Sequence, residues 1–214
     1  MQVDTIENIK TNINKLKLVI LLDAGHGINV KGKKAPDNSF YEYEFNKDIV
    51  DRVDMALKLN NIPHHIINPE SIDISLTERA NRINRYCAQY GPENCLMISV
   101  HANAAGNGDW MSARGWSVYT TKGLTNSDKY ATLFYNEANL LLPQYGQKLR
   151  ADWSDGDPDW EENFTILYKS RCPAILTENL FYDNKEDLKF LQSNLGRSVI
   201  AQIHINAIKN AIKT

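Results

Sequence analysis

The sequence predicts an α/β fold: a single three-layer domain on a mostly parallel (mixed) sheet of about six strands, with helices on both faces. Two observations carry that expectation. Continuous apolar runs at Leu18–Leu22, Cys95–Val100 and Pro173–Thr177 have the length of buried strands. Segments with helical spacing lie between them, and strands that alternate with helices are the pattern of a parallel sheet wrapped by its crossovers. A third observation sets the domain count. No low-complexity linker and no internal repeat divides the 214 residues, so one domain is the simplest account.

Composition removes several function classes. The chain is 43% hydrophobic and 23% charged, with a formal net charge of −2. That balance lacks the broad basic field of a nucleic-acid binder. No apolar run approaches the roughly 18–20 residues of a bilayer span. Residues 1–17 read as a polar arm or short helix without the apolar core of a signal peptide, ahead of a domain over 18–214. Cys87, Cys95 and Cys172 are odd in number and lack CxxC spacing, so free buried thiols are expected rather than a disulfide framework or a thiolate zinc site.

The elements follow in order. The strand over 18–23 ends in Asp23-Ala24-Gly25-His26-Gly27, where the glycines permit close approach and His26 is presented from a rigid support. A loop runs on to Tyr41. Its Lys31-Gly32-Lys33-Lys34 lacks the phosphate-loop pattern and reads as solvated. From Glu42 to Asn60 the spacing is helical, with Ile49, Val53, Ala56 and Leu57 on one face. Ile62–Ile67 is a second strand. Ser75-Leu76-Thr77-Glu78 matches a capping box and opens a helix to about Tyr90, stopped by Gly91-Pro92. Cys95–Val100 is a third strand that runs directly into His101, and Gly115–Thr120 a fourth. Residues 126–142 form a helix and Ala151–Glu162 a long surface loop. Asn163–Tyr168 and Pro173–Thr177 are the last two strands, with Glu178 at the end of the second. Asp183-Asn184-Lys185-Glu186 offers another capping box, and a final helix spans about Gly196 to Ile212.

The chemistry lies in a coincidence of positions. His26, His101 and Glu178 each fall at the carboxyl end of a separate apolar strand, the edge where open α/β sheets keep their ligands. The helix starting near Glu42 follows the first strand and brings a carboxylate to the same edge. Two imidazoles and one carboxylate form the protein ligand set of a catalytic zinc site, which keeps its fourth position open for water. Glu178 is then placed to take a proton from that water. These residues point to a metal-assisted hydrolase.

Four blocks also resemble a family. Asp-Ala-Gly-His-Gly (23–27), Glu42 with Asn46, Ser-Val-His-Ala-Asn (99–103) and Pro-Ala-Ile-Leu-Thr-Glu-Asn-Leu-Phe (173–181) occur in the order and spacing of the zinc-dependent N-acetylmuramoyl-L-alanine amidases. These peptidoglycan-cleaving enzymes occur as autolysins and endolysins. The resemblance covers roughly residues 18–212. It departs from the family pattern in Ala24, where proline is usual, and in an unusual loop before the helix. It implies Zn²⁺ held by His26, an early glutamate and His101, with Glu178 as catalytic carboxylate. Glu42 and Glu44 both offer themselves, and the asparagine four residues on selects Glu42. Asp23 and Asn103 would orient the histidines, or else cap loops. The implied reaction is hydrolysis of the amide joining N-acetylmuramic acid to L-alanine, by a monomer acting on the cell wall. With no export signal visible, a phage or prophage lysin made in the cytoplasm fits. A zinc peptidase acting within the stem peptide, or a non-catalytic wall-binding domain, would share the fold.

Other candidates carry plainer readings. His64 and His65 are adjacent on a strand and point to opposite faces. His204 lies in the last helix, far from any strand end. Trp110, Trp153 and Trp160 sit in polar loops, where packing competes with stacking on sugar rings. Arg150 and Arg171 are solvated charges by default, with stem-peptide carboxylates as an alternative partner.

Overall fold

A computed structural model describes residues 18–213. The polar arm expected over 1–17 lies outside the described residues. Six strands form one sheet: β1 (Val19–Ala24), β2 (His64–Ile66), β3 (Cys95–Asn103), β4 (Ser117–Thr120), β5 (Trp160–Glu161) and β6 (Ala174–Phe181). Their spatial order is β2-β1-β3-β6-β4-β5. The first four in that order run parallel, β4 is antiparallel to β6, and β5 is parallel to β4. Six α-helices accompany them among the described residues: α1 (Glu42–Leu59), α2 (Leu76–Tyr90), α3 (Asp128–Leu141), α4 (Thr165–Lys169), α5 (Lys185–Gln192) and α6 (Asn194–Ala211). No helix among the described residues is long and apolar enough to cross a membrane.

The period of two along the strands divides the core into two layers. Ile20, Leu22 and Ala24 of β1 join Leu96, Ile98 and Val100 of β3 beneath α1, α3, α5 and α6. Val19 and Leu21 join Cys95 and Met97 on the other side, beneath α2 and α4. A buried strand packed on both faces has no polar side to alternate with, which is why these runs read as continuously apolar. The three cysteines are free and buried in the second layer, as expected.

Three expectations are corrected. The stretch 163–168 forms the short helix α4, and the strand at this edge is Trp160–Glu161, inside the expected surface loop. Ile166 and Leu167 are neighbours and both are buried in the layer beneath α2, which a strand's alternation would forbid. A short apolar run does not distinguish the two states, and packing on α2 decided for the helix. The second capping box is shifted by one residue. Asn184, not Asp183, caps α5, accepting from the amides of Glu186 and Asp187. Asp183 instead accepts from the amides of Ala105 and Gly106, at 2.8 Å each. Finally, β3 and β6 extend past the residues at which their apolar runs stop. Pairing continues to Asn103 and Phe181, so His101 and Glu178 lie inside strands rather than at their ends. Ser75, by contrast, caps α2 as its sequence implies, accepting from Glu78 N.

One buried acid gives this edge of the sheet a pH dependence. Asp159 accepts from the hydroxyl of Thr120 while its other oxygen is buried without a partner. Burial foremost, then the neighbouring Asp157 carboxylate, pushes its carboxyl up to about 8, with Thr120 acting in the opposite sense. A raised pKa means that the contribution to stability is complete below the ordinary aspartate value and is lost as pH rises through about 8. The melting temperature of the parent should therefore fall between about pH 4 and pH 8, and that of Asp159→Asn should fall less. Parallel slopes in a calorimetric pH series would contradict this.

Candidate active site and metal centre

β1 ends at Ala24, and the chain turns sharply so that His26 adopts left-handed backbone, φ 63°. This conformation is costly for a residue with a Cβ and persists only where its surroundings enforce it. Here the enforcement comes from Arg79 of α2. Its guanidinium donates to Ala24 O at 2.6 Å and to His26 O at 3.2 Å. The same group pairs with Asp23 Oδ1 and Asp73 Oδ1, both at 2.6 Å. Asn68 completes the clamp, accepting from Ala24 N at 2.9 Å and donating to Ala24 O at 2.6 Å.

Glu42 opens α1, its first-turn position favoured by the helix dipole. It is buried and faces the loop after β1, while Glu44 is exposed and accepts from the Tyr43 hydroxyl. Glu42 Oε2 lies 3.3 Å from His26 Nε2, and Oε1 lies 3.0 Å from His101 Nδ1. Asn46 donates to Glu42 Oε1 at 3.3 Å and to Gly25 O at 2.9 Å, tying α1 to the β1 turn. The backbone amide of Ala102 adds a third hydrogen bond to Oε1. Burial works against the Glu42 carboxylate, but hydrogen bonds and attraction from His101 and His26 outweigh it and hold its pKa well below the usual range. One ligand atom from each of His26, Glu42 and His101 falls within 4.8 Å of the other two, the one such grouping among the described residues.

Glu178 is the register partner of His101 across β3 and β6. The ladder slips just beyond this pair, and Leu180 takes left-handed backbone, φ 68°. Such a bulge re-aims the side chains around it. Oε2 of Glu178 is buried without a hydrogen-bond partner. Burial, and then the charge of Glu42, pushes its carboxyl well above the usual range, while Lys33 opposes the shift. A carboxyl with a buried, unused oxygen, paired across the strands with His101, is a poised proton carrier.

The donors fit a divalent cation. Two imidazoles and a carboxylate converge from three separate elements, and the fixed contacts to Glu42 from Asn46 and Ala102 are outer support of the kind such ligands need. The close approach expected at the glycines also has a concrete form. A Cβ on Gly25 would stand 2.2 Å from His101 Cε1, and one on Gly27 would stand 2.1 Å from the backbone nitrogen of Asp73. Gly25→Ala must therefore displace the His101 ring. A loss of metal affinity of about 10–100-fold is expected, read by competition with a chromophoric chelator.

Of the two readings for Asp23 and Asn103, orienting the histidines or capping loops, neither residue makes a direct histidine contact among the described residues. Asp23 spends its two oxygens on Arg79 and on Ser99 Oγ, the latter at 2.7 Å, and reaches His26 only through Arg79. Asn103 Oδ1 accepts from its own neighbour, Ala104 N. His64 and His65 do point apart, the first to Asp54 and the second onto the rings of Tyr86 and Tyr90. His204 is a buried core group between Thr177 Oγ1 and Ile200 O. Two positioning residues escaped the sequence reading. Asn179 accepts from the indole of Trp116 and donates to His101 O, both at 2.8 Å. Arg79 carried a usable signal: it shares the apolar face of α2 with Ile83 and Cys87, at i+4 and i+8, where an arginine needs a buried partner.

Comparison with known proteins decides the family. The N-acetylmuramoyl-L-alanine amidase family model matches residues 20–210. The chain belongs to that family. The endolysin of Bacillus phage SPP1 is 25% identical over 194 residues, covering 89% of this chain and 64% of that protein. The N-acetylmuramoyl-L-alanine amidase CwlM of Bacillus licheniformis is 25% identical over 193 residues, 90% of this chain and 68% of its own length. LytC of Bacillus subtilis (strain 168), another amidase, is 29% identical over 86% of this chain, which spans 33% of LytC. The fold is shared with the N-acetylmuramoyl-L-alanine amidase of Clostridium difficile 630, at TM-score 0.76 and 22% identity, covering 94% of this chain and 99% of that one. AmiC2 of Nostoc punctiforme gives TM-score 0.75 at 22% identity, over 92% and 98% of the two chains. The four motif blocks that suggested an amidase thus lie in an amidase domain with the expected α/β architecture.

Proposed function

We propose that this chain hydrolyses the amide between N-acetylmuramic acid and L-alanine in peptidoglycan, with Zn²⁺ held by His26, Glu42 and His101 and with Glu178 moving the proton. The observation that carries this reading is the convergence of those three donors beside a buried carboxyl with an unused oxygen. Bound there, zinc would supply Lewis acidity, which lowers the pKa of water to about 7 and polarises a carbonyl. Glu178 accepts the proton of the attacking water through its free oxygen and returns it to the alanine nitrogen as the C–N bond breaks. His26 and His101 would each offer an imidazole nitrogen as ligand, and Glu42 supplies the negative charge that favours a cation at the same place. The site of action is the cell wall, and the chain works as a monomer.

Digestion of purified peptidoglycan with mass analysis of the fragments tests the reaction. Intact stem peptides with free L-alanine amines, together with one zinc per chain by elemental analysis, are the expected result. A cut inside the stem peptide would replace the amidase reading with a peptidase, and no cut with zinc bound would leave a wall-binding domain.

A further inference from the structure

Arg150 is held in an arrangement that nothing in the fold uses. Its guanidinium lies over the ring of Trp160 at 5.3 Å and over that of Phe181 at 5.1 Å. Two aromatic faces fix the orientation of an arginine but leave its hydrogen-bond donors free. Arg52, Arg79, Arg82, Arg85, Arg114 and Arg197 all pair with carboxylates, whereas Arg150 makes no ion pair and no side-chain hydrogen bond among the described residues. Arg171 also lacks a carboxylate, but it is exposed and precedes β6, at the opposite end of that strand from Glu178. Beside Arg150, the indole N–H of Trp160 is buried without an acceptor. A clamped cation and an idle donor stand together, awaiting an anion.

Their place relative to the chemistry is set by the sheet. Phe181 follows Glu178 by three residues on β6. Trp160 of β5 is the register partner of Tyr119 on β4, and the Tyr119 phenol lies in the field of both Glu178 and Arg150. Arg150 therefore borders the site on its β4–β5 side. The opposite side, between the loop before α1 and the loop after β3, holds a cavity of about 670 Å³ lined by Lys33, Asn107 and Tyr182 among others.

Building on the amidase reading, we propose that Arg150 receives the free α-carboxylate of the D-glutamyl residue that follows L-alanine in the stem peptide. The chemistry of the substrate selects this partner. The carboxyl of muramic acid is itself the acyl group of the scissile amide, so the sugar side presents no free carboxylate. The leaving-amine side does, one residue beyond alanine, and an arginine fork matches it bidentately. Arg150 thereby sets the polarity of binding: peptide toward β4 and β5, glycan toward the cavity at the opposite side. It also makes the enzyme selective for stems whose second residue is the acid rather than its amide.

The test uses two disaccharide-peptides that differ only in carboxylate or carboxamide at that position. The zinc-loaded parent should prefer the acid by at least about tenfold in kcat/KM, and Arg150→Gln should erase the preference through the KM of the acid substrate. The same pair is titrated calorimetrically into Glu178→Gln, which reads binding without turnover. Equal kcat/KM and equal affinity for the two by the parent site would overturn the inference while leaving the amidase reading intact. Failure to cleave either, with the acid still bound more tightly, would overturn the amidase reading alone. Should Arg150→Gln not fold, Arg150→Lys keeps the charge and loses the fork, and an undiminished preference in it would equally refute the role.

Discussion

Glu178→Gln is expected to lower amide hydrolysis by about 10²–10⁴-fold, the usual contribution of a positioned proton carrier, while metal content and fold are retained. Glutamine has the same shape and cannot take a proton from water or return one to the leaving nitrogen. The three proposed ligands are left untouched, so elemental analysis should still find one zinc per chain. Release of L-alanine amines from peptidoglycan measures the effect, and a variant that digests the wall as fast as the parent would remove Glu178 from the mechanism. A second measurement separates a chemical role from a structural one. Burial, with the charge of Glu42, raises the Glu178 carboxyl well above its ordinary value in the metal-free protein. A raised pKa contributes stability that is complete below the ordinary glutamate range and disappears as pH rises. Glutamine never ionises, so the metal-free variant should melt above the metal-free parent at alkaline pH and level with it in acid. Activity lost together with alkaline stability gained is the signature of a site that keeps a buried carboxyl for chemistry.

Arg79→Met is expected to be the most destabilising single change outside the hydrophobic core. The guanidinium and Asp23 are both buried, and removing one partner of a buried pair costs about 3–5 kcal/mol because the other charge is left behind. For a domain of this size that is a fall of roughly 10 °C in melting temperature. Arg79 also holds His26 O, so hydrolysis should fall with stability even at temperatures where the variant is folded. Asp23→Asn is the milder companion, since Arg79 keeps Asp73 and the carbonyls of Ala24 and His26. A melting temperature for Arg79→Met within about 2 °C of the parent would show that the clamp is not what holds the turn.

What was legible in the sequence follows from which interactions are local. Apolar run length and helical spacing fixed β1, α1, α2 and β3, because burial on both faces and a single amphipathic stripe each leave a pattern within one element. The positions of His26, His101 and Glu178 near strand ends then implied a shared edge, and Asn46, four residues on, selected Glu42 over Glu44. The sequence by itself determined the fold class, the family and the grouping of His26, Glu42 and His101.

Only tertiary structure decided the rest, since those interactions join residues far apart in the chain. The stretch 163–168 became a helix because Ile166 and Leu167 both find the layer beneath α2. Strands β3 and β6 outran their apolar letters because pairing and the bulge at Leu180, not composition, end them. Asp23 was drawn from His26 to Arg79, which lies 56 residues away, and so acts on the histidine through the backbone. Arg150 became more than a solvated charge because Trp160 and Phe181 close on it from two strands. A residue type can announce that it needs a partner, but the identity of that partner is set by which distant segments the sheet brings to one edge.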